Sequence, residues 1–228
     1  MPGPSRPALP LPVVQPLAPP PDFEARLGEM GVKLPPRAAE QLGAYLALLL
    51  AMNEQMNLTA ITEPAEAWSR HVLDALSLVP HVASAPAGAR LLDVGSGGGV
   101  PGVPIAIARP DLRVTLLDAT EKKVGFLRAA TEALGLENVD AVCGRAETLA
   151  RGELAGAFDV VTARAVGKVS TLLSWTAPFA KPGGLLLLIK GERAETELAE
   201  ARRELAKHRC RHEKTVVTPT GRVVVLRK

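Results

Sequence analysis

Five glycines fall within eight positions, at Gly95, Gly97, Gly98, Gly99 and Gly102. The run follows Asp93 and the apolar residues Leu91, Leu92 and Val94, and Val103 to Ala108 beyond it are apolar again. A buried strand that turns through glycine into a helix is a design for holding a nucleotide. Glycine accepts positive φ and lets a ligand come close to the backbone. A second apolar segment, Arg113 to Leu117, closes on Asp118, 23 positions after Gly95. A carboxylate there can accept both hydroxyls of a ribose. Two more apolar segments end in Gly144-Arg145-Ala146-Glu147 and Thr162-Ala163-Arg164.

Two ligand classes use such a turn. Gly97, Gly99 and Gly102 have the G-x-G-x-x-G spacing of dinucleotide enzymes, which leaves a nicotinamide-dependent reductase open. Asp93 followed by Gly95, Gly97 and Gly99 resembles the first motif of S-adenosylmethionine-dependent methyltransferases. A non-catalytic nucleotide-binding module using the same pocket is a third reading.

The elements around the turn narrow the choice. Residues 1–21 hold nine prolines and are expected to be a disordered leader. Residues 22–85 are expected to form a helical cap: a short helix between Asp22 and Gly31, a second after Pro35-Pro36, and a third from Pro64 to about Pro80. Residues 86–228 then alternate. Strands are expected at Leu91–Val94, Arg113–Leu117, Asn138–Cys143, Phe158–Ala163 and Gly183–Ile189. Helices are expected at Lys122–Leu134, Val169–Phe179 and Arg193–Lys207. His208–Val217 and Arg222–Leu226, joined by Thr218-Pro219-Thr220-Gly221, read as an antiparallel hairpin. The fold class is therefore α/β and Rossmann-like, a mostly parallel sheet ending in an antiparallel hairpin behind an N-terminal helical cap. That ending is similar to the class I methyltransferase fold and leaves no residues for a dehydrogenase's second half.

Composition agrees with one domain. Of 228 residues 47% are hydrophobic and 3% aromatic, a Leu, Val and Ala core suited to a parallel sheet. No apolar run is long enough to span a membrane and no secretory signal is visible. Two cysteines, Cys143 and Cys210, fit a reducing cytoplasm better than a disulfide framework. Residues 202–228 carry nine Lys or Arg against two Glu, while the chain as a whole is only +3. A basic end points to a polyanionic partner or to a charged edge strand that resists aggregation.

The combination of motifs resembles the bacterial glucose-inhibited division protein B family, which methylates guanine N7 in 16S ribosomal RNA. It rests on Asn57-Leu58-Thr59-Ala60, Arg70-His71-Val72-Leu73-Asp74-Ala75-Leu76, Asp93 to Pro104, Asp118-Ala119-Thr120 with Lys122-Lys123, Gly144-Arg145-Ala146-Glu147, Ala163-Arg164-Ala165, and Pro182-Gly183-Gly184 with Lys190-Gly191. Ala75 stands where the family often has Ser, and a Pro- and Arg-rich tail common in the family is not seen after Lys228. The resemblance implies S-adenosyl-L-methionine as cofactor, the small ribosomal subunit or its RNA as partner, cytoplasmic action as a monomer, and neither a metal nor a membrane. Gly95, Gly97, Gly99 and Val100 are expected at the methionine part of the donor, Asp118, Ala119 and Thr120 at the ribose, and Ala146 and Glu147 at the adenine. Arg164 is expected where donor and guanine meet. Arg70, His71 and Asp74, spaced for one helical face, are expected at the guanine entrance. Lys122, Lys123, Lys190, Arg209 and Arg211 are candidate phosphate contacts.

No catalytic base is expected. The end of the fourth strand lacks the Asn/Asp-Pro-Pro-aromatic turn of amine methylation, and neither cysteine sits in the Pro-Cys setting of a carbon-methylating nucleophile. Guanine N7 has a lone pair and no proton to lose, so positioning suffices.

Overall fold

The computed structural model describes residues 9–164 and 167–228. Ala165 of the Ala163-Arg164-Ala165 motif and residues 1–8 of the leader lie outside the described residues.

Seven strands form one sheet: β1 (Arg90–Val94), β2 (Arg113–Asp118), β3 (Val139–Cys143), β4 (Phe158–Arg164), β5 (Ala180–Lys190), β6 (Arg211–Thr218) and β7 (Gly221–Arg227). Their order is β3-β2-β1-β4-β5-β7-β6. The first five are parallel, and β7 runs antiparallel between β5 and β6. The two-residue turn Pro219-Thr220 closes the hairpin, with Thr218 opposite Gly221. The order reverses between β1 and β4, so the crevice of this α/β sheet opens beyond the carboxyl ends of those two strands.

Side chains alternate across the sheet with period two. Leu91, Leu185, Leu187, Val223 and Val225 point to one core, and Leu92, Leu186, Leu188, Val224 and Leu226 to the other. The second core is closed by α8 (Val169–Thr176) and the pair α9 (Ala194–Glu200) and α10 (Arg202–Lys207). The expected helix 193–207 is thus two pieces, interrupted at the fully buried Ala201. A four-residue helix, α7 (Ala146–Leu149), follows β3.

The first core is shared with the N-terminal helices α1 (Phe23–Glu29), α2 (Ala38–Met56), α3 (Pro64–Ala67) and α4 (Asp74–Leu76), and with α5 (Gly102–Ala108) and α6 (Glu121–Ala133). Leu42, Leu46 and Leu49 of α2 are wholly buried in it. These helices form one outer layer of the sheet. Between α3 and α4 the chain runs as a π-helix, Trp68–Leu73, whose wider turn changes which side chains share a face.

The leader departs from expectation. From residue 9 it packs on the first core through Leu9, Leu11, Val14 and Leu17. The Leu17 amide donates to the Gly43 carbonyl at 3.1 Å. Four leucine or valine side chains outweigh the proline content, because an extended proline-rich segment loses little entropy when it docks.

Candidate functional site

Asp93 anchors the turn. It sits on β1 beside Thr162 of β4, at the point where the strand order reverses. Its side chain is wholly buried. Oδ1 accepts the Thr162 hydroxyl at 3.0 Å and Oδ2 the Gly102 amide at 3.1 Å. The acid thereby ties the start of α5 back to the strand. Burial, the largest cause, pushes its pKa up to about 6 against the pull of these hydrogen bonds. Gly102 is required by space: a Cβ there would lie 2.2 Å from a Leu116 methyl and 3.0 Å from Asp93 Oδ2.

Between them the glycine turn bends through positive φ at Gly95, Gly97 and Gly99, and Val100–Pro101 is cis. Asp118, at the end of β2, holds the turn from the other side. Its Oδ2 accepts the Gly97 amide at 2.9 Å and its Oδ1 the Thr120 amide at 2.8 Å. The N-terminal helices grip the turn from above. Tyr45 of α2, fully buried, donates its hydroxyl to the Gly98 carbonyl at 2.9 Å. Leu49 and Leu58 close over the same glycine.

Two clefts meet at this turn. The larger, about 420 Å³, includes Thr59, His71, Gly97, Val100, Lys123 and Arg164 in its wall. The smaller, about 160 Å³, is bounded by Val94, Arg145, Ala146, Glu147 and Trp175 among others. Gly95, Asp118 and Ala119 belong to both, so the two form a continuous trough around the end of β2. An elongated ligand with a sugar at its middle fits that trough, its sugar against Asp118.

His71 and Arg164 touch in the wall of the larger cleft. Arg164 Nη1 lies 2.9 Å from His71 Nδ1, and His71 Nε2 lies 2.8 Å from the Thr59 hydroxyl. Burial, aided by the Arg164 charge, lowers the His71 pKa to about 4, so the ring is neutral at pH 7. Burial likewise lowers the pKa of Arg164, offset by the nearby Asp74.

Most of the expected donor-site residues come together here. Gly95, Gly97, Val100, Asp118, Ala119, Ala146, Glu147 and Arg164 all line the trough. Two do not. Gly99 faces inward, where a Cβ would meet Val103, Leu127 and the Tyr45 hydroxyl, so its role is packing beneath the turn. Thr120 lies outside both clefts and contributes its amide to Asp118.

Of the expected guanine-entrance trio only His71 lines the cleft, although Asp74 and Arg70 both act electrostatically on Arg164. His71 reaches the cleft. Arg70 is exposed beside Glu66 at 3.5 Å. Asp74 is buried and bonded to the Thr220 hydroxyl in the β6–β7 turn.

Among the candidate phosphate contacts, Lys123 lines the larger cleft and Lys122 caps α2 by donating to the Gln55 carbonyl at 2.9 Å. Lys190 is buried. It pairs with Glu197 at 2.8 Å and donates to the Gly167 carbonyl, which removes it from any phosphate. Arg211 stands opposite Arg227, which stands opposite Leu185, itself opposite Val160 near the start of β4. That places Arg211, and Arg209 just before it, at the sheet edge away from the trough. Cys143 is half-buried with its Sγ 3.8 Å from the Ala119 carbonyl, and Cys210 is buried.

Tyr45, Leu49, Thr59 and Trp175 are site residues that motif spacing does not reveal. Only Thr59 carried a signal, within Asn57-Leu58-Thr59-Ala60. Asn57 adopts the left-handed conformation that ends α2, and the Asn53 side chain accepts the Thr59 amide at 2.8 Å. Those two asparagines turn Thr59 toward the cleft.

Known proteins resemble this chain in sequence and in fold. The family model described as GidB, rRNA small subunit methyltransferase G, matches residues 38–224. A Sorangium cellulosum protein named ribosomal RNA small subunit methyltransferase G is 57% identical over all of this chain and 95% of its own length. One of the same name from Lactococcus lactis is 39% identical over 82% of this chain and 79% of its own. Among solved structures, TrmN from Thermus thermophilus superposes with TM-score 0.57 at 23% identity, covering 78% of this chain and 53% of that one. A SAM-dependent methyltransferase from Aquifex aeolicus does so with TM-score 0.56 at 17% identity, covering 75% and 96%. The two structures establish the class I methyltransferase fold.

Proposed function

The chain belongs to the rRNA small subunit methyltransferase G family, and on that premise we propose that it methylates N7 of a guanine in 16S ribosomal RNA, using S-adenosyl-L-methionine. The observation that carries this reading is the continuous trough at the reversal of the strand order, floored by the glycine turn and divided by Asp118. The nicotinamide reading of Gly97, Gly99 and Gly102 is set aside, because the family is one of methyltransferases. Among the described residues no helix is long and apolar enough to cross a membrane. Cytoplasmic action as a monomer on the small subunit or its RNA belongs to this proposal.

The residues fit the cofactor. The positive-φ glycines Gly95 and Gly97 present backbone without side chains, and Val100 offers an apolar wall. Asp118 and Ala119 stand where a ribose would lie, and Ala146, Glu147 and Trp175 bound a slot for the adenine. When bound, the cofactor supplies an electrophilic methyl group on a sulfonium. The chain's own residues bind and orient. N7 has no proton, so no side chain has to remove one, and the neutral His71 holds Arg164 and Thr59 in place. The value of such positioning reaches roughly 7–11 kcal/mol in the best cases. Lys123, in the wall of the larger cleft, is the expected phosphate contact nearest the donor.

The test is transfer of labelled methyl from S-adenosyl-L-methionine to 16S RNA, free and in the small subunit, followed by chain cleavage specific for N7-methylguanine. Label cleaved at one guanine is expected. Label at another atom, or donor binding without transfer, would overturn the reading, the latter in favour of a non-catalytic module.

A further inference from the structure

The side-chain contacts of His71 decide where its ring hydrogen lies, against the pull of the Arg70 carbonyl beside the ring. A guanidinium donates and never accepts. The 2.9 Å contact from Arg164 Nη1 therefore makes His71 Nδ1 the acceptor, and the ring carries its hydrogen on Nε2. Nε2, 2.8 Å from Thr59 Oγ1, then donates to that oxygen. The Ile61 amide donates to the same oxygen at 3.0 Å. A hydroxyl has two acceptor positions and one hydrogen. Both positions on Thr59 are filled from the protein side, and among the described residues nothing takes its hydrogen. Thr59 is half-buried in the wall of the larger cleft, with Gly97, Val100, Lys123 and Arg164.

We propose that Thr59 is an obligate hydrogen-bond donor in this cleft, reading a ligand oxygen that carries no hydrogen. It cannot receive a hydrogen bond from an amino group, because its acceptor positions are taken. Resting on the methyl-transfer reading above, two oxygens have this chemistry: guanine O6, the neighbour of N7, and the carboxylate of the donor's methionine. Adenine presents an amino group where guanine presents O6, so the same arrangement selects guanine over adenine. Set against O6, Thr59 determines the choice of base; set against the carboxylate, it holds the donor; in both, Arg164 and His71 act on it as positioning residues.

Three measurements test this. Nitrogen NMR of the imidazole in the intact protein should show His71 Nε2 protonated and Nδ1 bare; the opposite tautomer overturns the proposal. Thr59→Val removes the hydrogen and Thr59→Ser keeps it. Donor affinity by calorimetry reads the carboxylate: a loss of about 10- to 100-fold in Thr59→Val, restored in Thr59→Ser, assigns the oxygen to the donor. RNA bearing 2,6-diaminopurine in place of the target guanine reads O6. Unchanged donor affinity, with the preference for guanine over diaminopurine falling about 10-fold in Thr59→Val and restored in Thr59→Ser, assigns it to the base. A serine variant as defective as the valine one, or no change in either, overturns the proposal. Wild-type protein that transfers no methyl group defeats the functional reading instead, and the tautomer and donor-affinity measurements still judge Thr59.

Discussion

The Asp118 carboxylate accepts the amide of Gly97 at 2.9 Å, so the acid that closes β2 also shapes the glycine turn. Its other oxygen holds the Thr120 amide. Each oxygen keeps a further lone-pair position for a ribose hydroxyl. Asp118→Ala should weaken S-adenosyl-L-methionine binding by at least about 10-fold in calorimetry, since charge-assisted hydrogen bonds and turn geometry go together. Affinity equal to wild type would remove Asp118 from the site.

Tyr45 reaches the same turn from an N-terminal helix. Tyr45→Phe leaves the buried Gly98 carbonyl without its donor at almost unchanged volume. A stability loss of about 1–3 kcal/mol in urea denaturation is expected, with weaker donor binding alongside it. Wild-type values for both would mean that α2 does not support the turn.

The buried Asp93 gives a pH dependence of definite sign. Its folded-state pKa of about 6 lies above the ordinary 3.8, with burial the largest cause. The folded chain then holds more protons than the unfolded one between those values. The contribution of this group to stability is therefore complete below pH 4 and is lost as pH rises through about 6. Asp93→Asn retains an acceptor for Gly102 and a partner for Thr162 without the charge. Relative to wild type it should gain stability as pH rises from 4 to 7, by up to about 3 kcal/mol. A difference that stays flat across that range, by urea denaturation, would contradict the assignment.

Lys190 belongs to the fold and not to RNA. Lys190→Ala strands the Glu197 carboxylate, only 13% exposed, and should cost about 3 kcal/mol of stability. Once folded, the variant should bind small-subunit RNA as wild type does and with the same salt slope. A shallower slope of affinity against salt would restore Lys190 as a phosphate contact.

Order and type of the elements were legible because the parallel strands β1, β2 and β4 are short, largely apolar runs with Asp93, Asp118 and Arg164 at or near their ends. The trough was legible where one residue type does one job at one turn, as for Asp118 and the glycines. Side chains that arrive from distant elements were not. Trp175 joins the smaller cleft from α8, far along the chain from the glycine turn, and no local pattern marks it. Of Arg70, His71 and Asp74, set on one face by α-helical spacing, the π-helical turn leaves His71 alone in the cleft wall. Lys190, Arg209 and Arg211 show the limit of reading charge alone. One cation is paired within the protein, and strand register carries the other two to the far edge.

The position of β7 between β5 and β6 has a consequence for synthesis. β6 precedes β7 in the chain, yet the place beside β5 belongs to β7. Until residues 221–227 emerge, Leu185 to Lys190 present an unpaired apolar edge that the earlier-made β6 could occupy in error. Closing this half of the sheet therefore waits on β7, and a variant that weakens β7 leaves the β5 edge open to wrong pairing.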